Sequence, residues 1–331
     1  MRPRSPREIL TPSGLSAFLC TDLTNIRYLT GVVVSSGMVL VTGKRIMLFV
    51  DGRYRFEVEH LVLPGIAVRD IADLPRIMQA EKTCGFEAEH VSVGERSAWK
   101  KIFSATKFVP TSGIIEEFRR SKSDQELRLM QRAHRMTKEL LRRVPAALRK
   151  GVTEEKLARQ FGIWALELGA DGLAFPPIVA FGTHTGIPHH VSGPRSLKKG
   201  HLVQVDVGVK YRGYCSDLSR VFFTAAPTPL QKRVFETLLR VQDEVIKEAK
   251  PGVTNRALDR RARTILAKEG LEEAFSHALG HGLGLDIHEG VVLSQKRREM
   301  KLLKNEVVTV EPGVYFPGKF GMRIEDQMFL S

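Results

Sequence analysis

Hydrophobic positions fall along this chain in two rhythms, and the change between them divides it. Over residues 14–117, short apolar runs alternate with polar turns. Residues 15–19 form an apolar strand candidate, and the stretch 25–31 leads into Val32, Val33 and Val34, with Gly37 marking a turn. Residues 38–41 and 46–50 read as two strands joined by Thr42-Gly43-Lys44. Asp51 closes the second strand, and Gly52-Arg53-Tyr54 opens a helix running past Glu57 and His60. Cys84-Gly85-Phe86-Glu87 is a further strand end. This mixture predicts a small α/β domain. Asp51 and Arg53 read as a strand-end salt bridge rather than a catalytic pair.

The polar stretch 118–123 marks the boundary and gives two domains, 1–120 and 121–331. Ser123 and Glu126 form a capping box: hydroxyl and carboxylate satisfy free backbone donors at a helix start. Leu127, Met130, Ala133, Leu140 and Leu141 then recur at helical spacing. Thr153 starts a second helix with Leu157, Phe161, Trp164 and Leu168 on one face, ending at Gly169. Phe161 and Trp164 read as core. Residues 176–182 read as a strand leaving a proline bend. Residues 200–208 read as a buried strand that pairs across Tyr211-Arg212-Gly213-Tyr214 with 216–223. Helices follow over 229–250 and 255–268. The order of helix, helix and strands, used twice, hints at a duplicated half, although the sequences of the halves are too dissimilar to establish it.

At 331 residues and 43% hydrophobic, the chain suits one large or two ordinary globular domains. No apolar run approaches the roughly 20 residues that span a bilayer, and the basic start reads as no signal peptide. Cys20, Cys84 and Cys215 are odd in number and far apart, so neither a disulfide scaffold nor a zinc knuckle is expected. A reducing, cytoplasmic setting follows as the expectation. The net charge of +14 is scattered over helix-like stretches such as Arg142-Arg143 and Lys296-Arg297-Arg298. No nucleic-acid motif accompanies it, so it reads as a solvated surface, with no specific nucleic-acid or membrane partner.

The chemistry concentrates late in the chain. Asp206 stands in a buried strand and Asp217 follows eleven positions on. His281 sits in Gly280-His281-Gly282-Leu283-Gly284, Glu311 before Pro312-Gly313, and Glu325 after Arg323-Ile324. Buried charges are costly unless paired or bound to metal. Five such ligands exceed one tetrahedral ion and suit two cations that share carboxylates.

That order of ligands resembles the dinuclear metallopeptidases of the pita-bread fold: methionine aminopeptidase, aminopeptidase P, prolidase and the metal-free creatinase. The resemblance covers nearly the whole chain. It implies an α+β protein, a pita-bread catalytic domain preceded by a smaller α/β creatinase-like N-terminal domain. The stretches 25–31 and 51–54 look like that N-terminal domain, which methionine aminopeptidase lacks. By resemblance, Asp206 and Asp217 bind one metal and His281 the other, with Asp217 and Glu325 bridging. Glu311 is implied as a ligand that also serves as general base or proton shuttle. Hydroxide held by the metals would attack the scissile carbonyl. His189, beside His190, and His288 are implied to stabilise the tetrahedral intermediate. Arg323, two positions before Glu325, is expected on the same strand face, holding an acidic neighbour. Mainly oxygen ligands with one imidazole suit manganese first, with cobalt, zinc or iron as alternatives. Gly280, Gly282 and Gly284 are expected to adopt conformations closed to other residues and to let strands pass close to the metals.

The resemblance implies peptide substrates with proline at the second position. Aminopeptidase P takes longer peptides, whereas prolidase takes dipeptides and needs a positive group for their carboxylate. Prolidase-like sequences often carry an arginine just after the His288-Glu289-Gly290 stretch. Here Val291-Val292-Leu293-Ser294 follows, which favours aminopeptidase P over prolidase. A third reading is a non-catalytic interaction protein on the same fold, supported by the charge alone. A creatinase-like hydrolase without metal conflicts with the complete ligand set. Relatives are commonly homodimers. Members usually continue past the last glutamate, whereas this chain stops six residues after Glu325. A shortened end is expected to affect stability more than the ligand set.

Overall fold

A computed structural model describes residues 5–11 and 14–331. Part of the basic start lies outside them. The chain divides into two units, residues 1–119 and 120–331.

The first unit contains α1 (Pro6–Leu10), β1 (Ala17–Cys20), α2 (Leu23–Thr30), β2 (Met38–Thr42), β3 (Ile46–Val50), α3 (Gly52–Leu61), β4 (Ile66–Asp70), α4 (Leu74–Met78), β5 (Thr83–Glu87), α5 (Val93–Ile102) and β6 (Lys107–Thr111). Its six strands run in the order β4-β3-β2-β1-β5-β6. The hairpin pairs β1–β2 and β2–β3 are antiparallel, while β3–β4 and β5–β6 are parallel across α3 and α5. Leu19, Leu40, Met47, Phe49, Phe86 and Trp99 share its core. The stretch 25–31 lies mostly in α2, whose first turn is capped by the Asp22 side chain and whose end turns through Gly31 at φ 79°. Asp51 caps α3 and pairs with the Arg53 guanidinium at 2.7 Å on an exposed surface. The pair is therefore a helix-start device.

The first unit closes with α6 (Ile114–Arg120), whose last residue begins the second unit; α7 (Asp124–Ala147) and α8 (Glu154–Glu167) follow there. The Ser123–Glu126 capping box is formed in both directions. Next come β7 (Gly172–Leu173), β8 (Ile178–Phe181), β9 (Leu202–Val207), β10 (Val209–Tyr211), β11 (Tyr214–Cys215) and β12 (Leu218–Phe223). Then follow α9 (Pro229–Glu248), α10 (Asn255–Lys268), β13 (Gly280–His281), β14 (Val292–Leu293), β15 (Val307–Val310), β16 (Gly313–Phe316), β17 (Phe320–Arg323) and β18 (Asp326–Phe329). One core joins α7 and α8 to β8 and β9 through Leu140, Phe161, Phe181 and Val205. The other joins α9 and α10 to β15 and β17 through Leu238, Leu266, Val308 and Met322.

The duplicated half is visible in these details. Gly151-Val152-Thr153 precedes α8 and Gly252-Val253-Thr254 precedes α10. Each threonine caps its helix, and each forms an isolated bridge, Thr153 to Ser196 and Thr254 to Lys301. Cys20, Cys84 and Cys215 are free and buried. No helix among the described residues is long and apolar enough to cross a membrane.

Candidate metal centre

Asp206 lies on β9 and faces Ser219 of β12 in antiparallel register; Asp217 stands just before β12. Between them Gly208 passes close to the opposite arm of the hairpin, since a Cβ there would lie 1.9 Å from the Ser216 carbonyl oxygen. The hairpin thus brings two carboxylates to one end of the sheet. His281 comes from β13, which pairs with β14 and bridges onward from Gly282 to Val308 of β15. Glu311 follows β15 directly. Glu325 falls in the break between β17 and β18, so Arg323 and Glu325 do not share one continuous strand.

The structure brings these five together. The His281 Nε2 lies 3.6 Å from Asp217 Oδ2 and 3.7 Å from Glu311 Oε1. Asp217, His281 and Glu325 form a group of ligand atoms within 4.8 Å of one another. The His281 Nδ1 is 3.0 Å from the Gly282 carbonyl, which can only accept, so Nδ1 carries the proton. The Nε2 lone pair then faces two carboxylates, an arrangement that requires a cation or a proton between them.

Charge and orphaned atoms give the same result. Asp206 Oδ1, Asp217 Oδ1 and Glu325 Oε1 are buried without a hydrogen-bond partner. Burial first, then the neighbouring Asp206 and Glu311, push the Asp217 carboxyl well above its usual range. Burial, then Asp217 and Glu311, do the same to Glu325. Glu311 is raised by burial, with His281 and Arg323 pulling the other way. Four carboxylates therefore share one guanidinium, Arg323, a deficit of positive charge that one or two divalent ions would correct. The residues fit such ions: hard oxygen donors, one imidazole, open lone pairs, and spacings too long for direct hydrogen bonds.

Arg323 donates from Nη2 to Asp206 Oδ2 at 2.5 Å, from Nε to Ser219 Oγ at 3.0 Å and from Nη1 to Tyr315 Oη at 2.6 Å. The acidic neighbour it holds is Asp206. Tyr315 Oη is 3.1 Å from His277 Nε2, and His277 Nδ1 donates to the Ala278 carbonyl at 2.7 Å. Burial, with Arg323 second, lowers His277 to about 4, and burial raises Tyr315 to about 12. Both therefore stay neutral. The sequence reading missed this chain, since a tyrosine and a histidine in apolar surroundings look like ordinary core. A cavity of about 950 Å³ opens over these five residues and is also lined by His189, His277, His288, Arg159 and Arg297. The His288 ring stands 4.2 Å from that of His281, edge to face. Burial and the neighbouring His281 and His189 lower His288.

The glycines around His281 act by close approach. None of the three has positive φ. A Cβ would lie 2.0 Å from the Thr309 carbonyl oxygen at Gly280, 2.2 Å from the Glu289 carbonyl oxygen at Gly282, and 2.2 Å from Glu289 Oε1 at Gly284. The expectation of unusual backbone conformations there is corrected: absence of bulk is what matters. Glu289 fills the space beside Gly284 and is paired with the buried Lys122 at 3.0 Å.

Residues 128–331 match Metallopeptidase family M24, and residues 2–121 match the Creatinase/Prolidase N-terminal domain. The uncharacterized peptidase YqhT of Bacillus subtilis is 30% identical over 341 residues, spanning 100% of this chain and 95% of its own. The prolidase from Pyrococcus horikoshii has a similar structure, with a TM-score of 0.92 at 28% identity over 98% of this chain and 95% of that one. The X-Pro aminopeptidase from Thermotoga maritima gives a TM-score of 0.88 at 30% identity over 96% and 93%.

Proposed function

Because the chain belongs to metallopeptidase family M24, with a creatinase-type N-terminal domain ahead of its pita-bread catalytic domain, we propose that it hydrolyses the bond between a first residue and a following proline. The observation that carries the reading is the convergence of Asp206, Asp217, His281, Glu311 and Glu325, with orphaned oxygens, under one cavity. These five would hold two divalent ions, manganese first among the candidates. Bound there, such ions would supply Lewis acidity, polarising a carbonyl and bringing the pKa of water toward about 7.

The chain's own residues supply the rest. Glu311, raised by burial, takes a proton from the attacking water and returns it to the leaving amine. His288, held neutral by burial and by His281, has an N–H to offer an oxyanion that forms over the ligands. His189 faces the same cavity in the same role. Arg323 fixes Asp206 directly through Nη2, while Ser219 and Tyr315 hold its other two nitrogens.

Substrate length turns on positive charge. Val292 lines the cavity, in the stretch where prolidase-like sequences often carry an arginine, which favours longer peptides. Arg297, however, lines the same cavity, and among the described residues its guanidinium has no carboxylate partner, whereas Arg159 there pairs with Glu155 at 3.2 Å. It suits the free carboxylate of a dipeptide and makes the Xaa-Pro dipeptidase the favoured reading, with the aminopeptidase P type second. The relatives named prolidase and X-Pro aminopeptidase support the substrate class without choosing between the two. The test is hydrolysis of Ala-Pro beside Ala-Pro-Ala-Ala by metal-stripped protein refilled with manganese or cobalt. Cleavage of the dipeptide alone supports the first reading; cleavage of the tetrapeptide alone supports the second. Failure on both with two metals bound rejects the substrate class, and failure with no metal bound favours an interaction protein.

A further inference from the structure

We propose that Glu154 is a positioning residue for His189, acting as a clamp on both ends of the loop that carries it. What His189 does there rests on the peptidase reading; the clamp itself does not.

Glu154 is the first residue of α8 and is wholly buried. Its Oε1 accepts from the Phe181 backbone N–H and from His184 Nδ1, each at 2.8 Å. Its Oε2 accepts from His190 Nε2 at 2.8 Å and from the Gly193 N–H at 3.2 Å. A carboxylate offers about four acceptor positions, and these four donors take them all. Two of the donors fix the start and end of the loop, and two imidazoles fix its middle, with ring centroids 4.3 Å apart. His189 lies between Pro188, whose carbonyl accepts from Arg323 Nη1 at 3.3 Å, and the clamped His190. Among the described residues it makes no hydrogen bond of its own, so its neighbours decide where its ring stands.

Glu154, His184 and His190 are also residue types that bind metal, and their ligand atoms lie close together. The distances separate the two cases. At His281 the nitrogen stands 3.6 Å and 3.7 Å from carboxylate oxygens, with lone pairs left open. At Glu154 both nitrogens are at 2.8 Å, direct hydrogen bonds that leave no acceptor position for an ion.

The second half repeats the device without charge. Asn255, the first residue of α10 and wholly buried, donates from Nδ2 to the Val292 and Arg298 carbonyls at 2.8 Å and 3.0 Å. Its Oδ1 accepts from the Met300 N–H at 2.9 Å. An amide suffices where the loop offers carbonyls and one N–H. A carboxylate is required where it offers four donors, and the two extra donors are the imidazoles flanking the His189 turn.

The experiment uses full-length, metal-loaded protein. Glu154→Gln places an amide NH₂ against one backbone N–H and one imidazole whichever way it turns. The expected result is a roughly 10- to 100-fold fall in kcat on the better of Ala-Pro and Ala-Pro-Ala-Ala, with KM and bound metal near wild type. In a His189→Ala background the same substitution should change kcat less than about twofold, as for two residues acting as one unit. On zinc-loaded protein, where no paramagnetic ion broadens them, the side-chain ¹⁵N resonances of His189, assigned by their loss in His189→Ala, should shift in Glu154→Gln and stay in place in Asn255→Ser. If Glu154→Gln does not fold, His190→Ala removes a single donor and carries the same measurements. Losses that multiply, or a His189 resonance that does not move, would overturn the proposal. So would a third metal equivalent in the wild type that Glu154→Gln loses. A wild type that cleaves neither peptide would end the peptidase reading, while the resonance shift still decides the clamp.

Discussion

Arg323 and Asp206 form a buried ion pair at 2.5 Å although 117 residues separate them in sequence. No other lysine or arginine among the described residues comes within 4 Å of the four clustered carboxylates. The fork of the guanidinium engages Asp206, Ser219 and Tyr315 at once. An ammonium keeps the charge but cannot reproduce that geometry. Arg323→Lys should therefore fold yet bind manganese about 10- to 100-fold more weakly, as expected for loss of a group that orients a ligand. Titration calorimetry on the metal-stripped protein reads this directly. An unchanged affinity would mean that Asp206 needs no such support.

Metal removal should invert the usual pH dependence of stability. Asp217 and Glu325 hold their protons to higher pH in the fold than in the unfolded chain. Their contribution is fully present below the unfolded value of about 4 and is lost as pH rises toward the raised folded values. The metal-stripped protein should therefore gain thermal stability as pH falls from about 8 to about 5. Saturating manganese should flatten or reverse that slope, since it replaces the protons that the cluster retains. Melting curves with chelator and with metal across this window test it. Parallel slopes in both conditions would show that these carboxyls ionise freely in the fold.

Glu311→Gln should leave the fold intact and lower kcat by roughly 10²- to 10⁴-fold, the range of a lost general base. The amide keeps the shape and can still accept from Thr309 Oγ1, now 3.4 Å away, and the backbone N–H still reaches Leu279 at 2.8 Å. Turnover is measured beside the melting temperature and metal content. A near-wild-type rate would remove Glu311 from the proton path.

Much of this centre could be read in advance because its residues break local rules. Carboxylates in otherwise apolar strands need a partner, and the Gly-flanked His281 and the Pro-Gly after Glu311 mark where chains must pass closely. Other parts have a sufficient local explanation that hides them. Glu154 at a helix start satisfies the helix dipole on any reading, and nothing nearby announces four donors arriving from residues 181–193. Tyr315 and His277 resemble core. Arg297 stands in the run Lys296-Arg297-Arg298, which reads as solvated surface until the cavity wall is known. The stretch 25–31 is too short for its periodicity to decide, and the structure makes it a helix with Asp22 capping its start and Gly31 turning its end.

Arg297 lines the cavity that opens over the five candidate ligands, and its guanidinium forms no ion pair among the described residues. Its backbone is occupied: the N–H donates to the Ser294 carbonyl at 3.3 Å and the carbonyl accepts from Arg256 Nε at 2.8 Å. The segment is held while the side chain remains available. A charge-assisted bond to a substrate carboxylate contributes about 1.5–3 kcal/mol, or roughly 10- to 150-fold in affinity. A tetrapeptide carries its carboxylate two residues farther away and gains little from the same group. Arg297→Gln should thus raise KM for Ala-Pro at least about tenfold and leave Ala-Pro-Ala-Ala within about twofold. Steady-state kinetics on both peptides decide it. Equal loss on the two would mean that Arg297 shapes the cavity without reading peptide length, and the aminopeptidase P reading would then be preferred.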